Sequence, residues 1–156
     1  MEDKMKKILA VFAVFVVCFC IVSIAYAQDV GTPKDAQALV KKAVAYYKEA
    51  GKDKAIAEIG NLKGTLTNKD LYVFVYDLNG NLVMHPHTKS LIGKNSLAYK
   101  DPDGKLFNKE IVDKANASGS GWVDFKYFHV QTKKVVPKTA YLEKVDNLIF
   151  VSSAVK

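Results

Sequence analysis

The sequence predicts an α+β domain: one five-stranded antiparallel sheet with helices packed on it. Three observations lead there. Apolar residues recur at the helical period between Thr32 and Gly51. Five short segments rich in aromatic and β-branched residues lie between Leu71 and Val155. The last three of these are joined by brief polar turns, which only antiparallel neighbours can use.

Thr32-Pro33 reads as an N-cap with proline at the first helical position, and Asp35 falls in the first turn. Ala36, Leu39, Val40, Ala43, Val44 and Tyr47 then form one apolar stripe, and Ala50-Gly51 supplies the stop. A second short helix, Asp53 to Ile59, presents Ala55, Ile56 and Ile59. The period changes at Asp70. Leu71-Tyr72-Val73-Phe74-Val75-Tyr76 reads as a strand, Asn79-Gly80 as a hairpin turn, and Asn81 to His85 as the returning partner.

Residues 86–105 form a long connection with turn marks at Pro86, Gly93 and Asp101-Pro102-Asp103-Gly104. A helix with apolar Leu106, Ile111, Val112 and Ala115 runs to about Ala117. Strands follow over Trp122–Val130, Val135–Lys144 and Leu148–Val155. The resulting order, with two N-terminal helices and another helix between strands two and three, is a PAS-like arrangement.

An export signal precedes the domain. Lys4, Lys6 and Lys7 form a basic start, Ile8 to Ile24 an apolar run of 17 residues, and Ala25-Tyr26-Ala27 a small-residue cleavage motif before Gln28. The run lies at the short end of the ~17–25 residues that span a bilayer, so cleavage after Ala27 is expected. Residues 28–156 then form a periplasmic, soluble, single domain, or one tethered to the membrane if the signal stays uncut. Both cysteines, Cys18 and Cys20, fall in the signal, leaving the mature chain without disulfide or thiol chemistry. All 23 basic residues are lysines. Residues 1–27 hold three of them and two acids, so the mature domain carries 20 Lys against 14 Asp+Glu, a net charge of +6. The lysines are scattered beside acids, as in Lys52-Asp53-Lys54, and there are no arginine forks; nucleic acid is not an expected partner.

The informative segment is 86–105. A structureless connection of this length inside a small domain is often functional, and over the open face of a sheet it can roof a pocket. His85 and His87 could share one side of a strand, but Pro86 interrupts it and no Cys or carboxylate cluster supports a metal site. His85 reads instead as a neutral hydrogen-bonding wall. Asp101-Pro102-Asp103-Gly104 lacks the spacing of a calcium loop and reads as a turn. No phosphate loop, nucleophile elbow or paired catalytic carboxylates can be assembled, so neither an enzyme nor a cofactor is expected. Tyr and Trp need polar partners when buried. The strand aromatics Tyr72, Phe74, Tyr76, Trp122, Phe125, Tyr127 and Tyr141 are numerous for so small a sheet, and a pocket lined by Tyr hydroxyls, the Trp N–H, a His and one Lys would suit a small carboxylate; Lys138 is a candidate for that cation, and Lys126 is the competing one.

Taken together, Asp70-Leu71-Tyr72-Val73-Phe74-Val75-Tyr76-Asp77, Asn79-Gly80, His85-Pro86, Leu91-Ile92-Gly93-Lys94-Asn95, Asp101-x-Asp103-Gly104, Gly121-Trp122-Val123 and Lys138-x-x-Tyr141 resemble the single Cache domain family over about residues 34–153. The resemblance implies a PAS-like extracytoplasmic sensor fold. It also implies a ligand such as acetate, propionate, lactate or pyruvate between the sheet and the long loop, walled by Tyr72, His85, Trp122, Tyr127 and Lys138. Receptors of that family continue into a second membrane helix and an output module. This sequence stops at Lys156, so it is expected to act as a freestanding component through a membrane-bound sensor partner. The alternative is a structural or interaction protein of the envelope that docks on a membrane protein through its basic surface.

Overall fold

The computed structural model describes residues 30–129 and 132–156. The expected signal segment 1–27, with both cysteines, and Val130 at the expected end of a strand lie outside the described residues.

Helix α1 spans Pro33–Ala50. Its start is fixed by a reciprocal capping box: Thr32 Oγ1 accepts the Asp35 N–H at 3.2 Å, and Asp35 Oδ2 accepts the Thr32 N–H at 3.0 Å. These bonds hold the Asp35 carboxyl below its ordinary value. Gly51 ends α1 with φ of 86°, and α2 follows over Lys52–Ile59. A two-stranded ribbon, β1 (Thr67–Asn68) with β2 (Leu71–Tyr72), comes next. The single strand expected over Leu71 to Tyr76 is two, β2 and β3 (Phe74–Asp77), separated at Val73, and β1 is too short to show any period. Strand β4 is Leu82–Met84, helix α3 is Phe107–Ser118, and β5 (Ser120–His129), β6 (Lys134–Val145) and β7 (Leu148–Val155) complete the chain.

The main sheet has the expected five strands, in the order β4-β3-β7-β6-β5, antiparallel throughout. Strands β5, β6 and β7 are a meander, and β7 inserts beside β3, so the first hairpin joins the last strand. Side chains alternate between two buried layers. Val75, Tyr141, Leu148 and Phe150 face one side and pack on Leu39, Val40 and Val44 of α1. Phe74, Tyr76, Val123, Phe125, Leu142, Ile149 and Val151 face the other. Phe150 is fully buried, and burial of one such side chain contributes ~1.5–3 kcal/mol.

The second face is not left open to the long connection alone, as the sequence reading supposed. Helix α3 lays Phe107, Ile111, Val112 and Ala115 on it, covering the end nearest Val123 and Leu142. The rest of that face is covered by residues 85–100.

That covering segment is stitched down rather than draped. The Leu82 N–H donates to Lys94 O at 3.0 Å, the Gly93 N–H to Leu82 O at 2.7 Å, and the Ser96 N–H to Gly80 O at 2.9 Å. Asn95 Nδ2 donates to Asn79 O at 2.8 Å. Residues 93–96 thus run along the outer side of β4. Gly80, at φ of 78°, permits the close approach: a Cβ there would lie 2.3 Å from the Leu97 side chain.

Candidate functional site

Between the sheet and residues 85–100 lies a cavity of about 940 Å³. The pairing register builds its floor. On the α3 side of the sheet, Phe125 of β5 stands opposite Lys138 of β6, and Tyr127 stands opposite Val136. Ala140 opposes Ser153 of β7, and Phe74 of β3 opposes Val151. Lys138, Ser153, Phe74, Phe125 and Tyr127 all line the cavity, with Tyr72 from β2 and Phe107 from α3.

The aromatic groups form two walls. Phe125 stacks on Phe107 with ring centres 4.5 Å apart and planes 7° from parallel, and Tyr127 meets both rings edge-on. On the β3 side, Tyr72 meets His85 and His87 edge-on at 5.2 and 4.6 Å, and Phe74 lies 5.4 Å from His85. Such pairs contribute ~0.5–1.5 kcal/mol beyond burial, so both walls are preorganised.

The polar end is set by Lys138, Tyr72, Tyr127 and Asp70. Burial pushes the Lys138 ammonium below its ordinary value, while the nearby Asp70 carboxylate opposes that shift. Among the described residues no carboxylate comes within 4.0 Å of its Nζ, so no ion pair neutralises it. Burial, then the neighbouring Tyr127 and Asp70, pushes the Tyr72 phenol up to about 12. Asp70 itself is occupied: Oδ1 accepts the Gly31 N–H at 2.6 Å, just ahead of α1, and Oδ2 faces His129 Nε2 at 3.4 Å. His129 is further held by Thr132, whose N–H donates to Nδ1 at 3.3 Å.

His85 is fixed differently. Its Nδ1 accepts the His87 N–H at 3.2 Å and the Thr88 N–H at 3.0 Å. The ring proton therefore sits on Nε2, which meets no acceptor among the described residues and is available as a donor. Burial, reinforced by His87, pushes this imidazole down to about 4. A second buried polar chain joins floor to roof. Tyr76 donates its hydroxyl to Asn108 Oδ1 at 2.9 Å, and Asn108 Nδ2 donates to Ser96 O at 3.3 Å.

Four of the five residues picked from the sequence come together here: Tyr72, His85, Tyr127 and Lys138 all line the cavity. Trp122 does not. It is the cross-strand partner of Tyr141, packs 5.1 Å from that ring, and lies in the α1 layer on the opposite face. The reason is parity. Positions 122 and 127 of one strand differ by an odd number and face opposite ways. The same rule adds Phe125, which the sequence reading passed over. Lys126, the rival cation, turns outward and pairs with Asp103 at 2.8 Å. Asp70, Asn108 and His129 are further lining residues without a sequence signal of their own, because a lone polar residue gains meaning only from the register around it. Among the described residues no group of three His, Cys, Asp or Glu side chains is placed to hold a metal ion, and no helix is long and apolar enough to cross a membrane.

Comparison with known proteins places this geometry. Residues 2–151 match the family profile described as Single Cache domain 2. Over 104 residues the chain is 33% identical to the Sensor histidine kinase MctS of Rhizobium johnstonii, covering 64% of this chain and 22% of that protein. It thus spans about a fifth of that kinase. A periplasmic sensor domain of a chemotaxis protein is similar at 26% identity, with TM-score 0.61 over 78% of this chain and 88% of the other. A Cache chemosensory domain described for carboxylic acid recognition has the same fold, with TM-score 0.66 at 24% identity over 78% and 91% of the two chains.

Proposed function

Because the chain belongs to the single Cache domain family, whose members are extracytoplasmic sensor domains of chemoreceptors and histidine kinases, we propose that it is a periplasmic binding domain for a small organic carboxylate. It senses the acid without transforming it and passes the signal on through a membrane-bound sensor partner. One observation carries this reading: Lys138 projects into the cavity as a desolvated cation without an ion-pair partner among the described residues. Burying an ammonium is costly unless an anion meets it, and a carboxylate would form a charge-assisted hydrogen bond.

The neighbouring donors fit the same group. His85 Nε2–H and the hydroxyls of Tyr72 and Tyr127 all donate, and a carboxylate only accepts. Asp70, the one acid in the lining among the described residues, is taken up by Gly31 and His129, which leaves Lys138 for the ligand.

The test is thermal denaturation of the purified protein, unfolded and refolded to strip any carried-over ligand, against a panel including acetate, propionate, lactate and pyruvate. A ligand at a hundred times its Kd adds about 2.7 kcal/mol of stability, so a binding acid raises Tm measurably in the native protein and not in Lys138→Met. If no carboxylate raises Tm, the reading is wrong.

A further inference from the structure

The cavity is larger than short acids need. At about 30 Å³ per water-sized atom, an acid of two to four carbons takes up roughly 100–200 Å³, against about 940 Å³ available. Pockets at this upper end of the usual ~300–1,000 Å³ range enclose drug-sized ligands. The excess space has a shape. Strands β3 and β5 are three strand spacings apart in the order β3-β7-β6-β5, which is about 14 Å. Their aromatic side chains stand up as walls, Phe74 with Tyr72 and His85 on one side and Phe125 with Phe107 and Tyr127 on the other. Between them β7 contributes only the small Ser153 and β6 only Lys138 to the lining. The result is a slot with aromatic faces on both sides, a low floor, and the buried Lys138 standing at the β5 side, directly opposite Phe125, while Lys69, Lys94 and Lys100 also reach the lining.

A short aliphatic acid would satisfy Lys138 and leave both walls in contact with water. A flat ring would bury itself against them in the offset or edge-on geometries that aromatic pairs favour. We propose that the preferred ligand is an aromatic carboxylic acid, with its carboxylate on Lys138 and its ring in the slot above Ser153. The inference rests on the carboxylate reading and narrows it to a ligand class.

Titration calorimetry on the purified protein separates the two ideas. The probes are acetate, butyrate, hexanoate, phenylacetate and the uncharged benzyl alcohol. Phenylacetate is expected to bind at least tenfold more tightly than acetate or butyrate and more tightly than hexanoate. Two variants report on the slot. Ser153→Leu fills its floor and removes the preference for phenylacetate while sparing acetate. Tyr127→Ala, at a half-exposed position, removes a carboxylate donor together with the ring and weakens phenylacetate by a larger factor than acetate.

Acetate or butyrate binding as tightly as phenylacetate overturns the aromatic class and leaves the carboxylate reading intact. Hexanoate matching phenylacetate also overturns it, in favour of a long aliphatic acid. Benzyl alcohol binding while every acid fails overturns the carboxylate reading and the proposed ligand with it, leaving only the slot. Binding by none of the five overturns both.

Discussion

The Nδ1 atom of His85 accepts the backbone N–H of Thr88 at 3.0 Å, which fixes the neutral tautomer of an imidazole that burial, reinforced by His87, keeps from charging. Protonating His85 would place a hydrogen where the Thr88 and His87 donors already point. Its folded value of about 4 lies below the ordinary 6.5, so the unfolded chain takes up the proton first. Stability is therefore complete above pH ~6.5 and is lost as pH falls from there toward 4. The carboxylates held down by their hydrogen bonds, Asp35, Asp101 and Asp124, lose their contributions only below about 3.8, outside this window. A Tm-versus-pH series should fall between 6.5 and 4 in the native protein and stay flatter in His85→Gln. Equal slopes in the two proteins would refute the assignment.

Lys138→Met should abolish the Tm rise caused by a binding acid and weaken its affinity by roughly 10- to 100-fold, the range for a charge-assisted hydrogen bond worth ~1.5–3 kcal/mol. Without ligand the variant should be as stable as the native protein or more so, since a desolvated cation is gone and the methylene stem is kept. A large loss of ligand-free stability would mean that the ammonium has a structural partner instead.

Asp70→Asn should move stability and affinity in opposite directions. The amide still accepts the Gly31 N–H, but the charge facing His129 is lost, along with the charge that repels an incoming carboxylate at Lys138. The expectation is a small decrease in Tm and a severalfold gain in affinity for the acid. Loss of both would place Asp70 in the ligand's own hydrogen-bond network.

Gly80→Ala tests the roof. Its Cβ would sit 2.3 Å from Leu97, and the backbone would hold φ at 78°, a combination costing ~1–3 kcal/mol. Because Gly80 O also receives the Ser96 N–H and hydroxyl, relief of the clash shifts the segment over the cavity. Urea denaturation should show the stability loss, and calorimetry a weaker fit for every acid. Weakening without any stability loss would argue against this strain.

Most of the frame was legible because its signals are local. The Thr32 cap, the α1 stripe, Asn79-Gly80 and the polar turns of the last three strands each act within a few residues, and each lies where it was read. The site was legible only in part, because it depends on relations between strands. Lys138 and Lys126 look alike along the chain; what separates them is that Lys138 is paired with Phe125 on the cavity face. Trp122 was misplaced for want of a parity count that the sequence did permit. The side of the sheet taken by α3 could not be read at all, since an amphipathic helix carries a stripe but no address.

The hydrogen bonds from residues 93–96 to residues 79–82 also have a bearing on solubility. Strand β4 is an edge of the sheet, and an uncovered edge is a template for pairing with another chain. The roof of the cavity is also the guard of that edge. A substitution that displaces this segment, such as Gly80→Ala, would uncover the edge and bring an aggregation risk along with the weaker fit for a ligand.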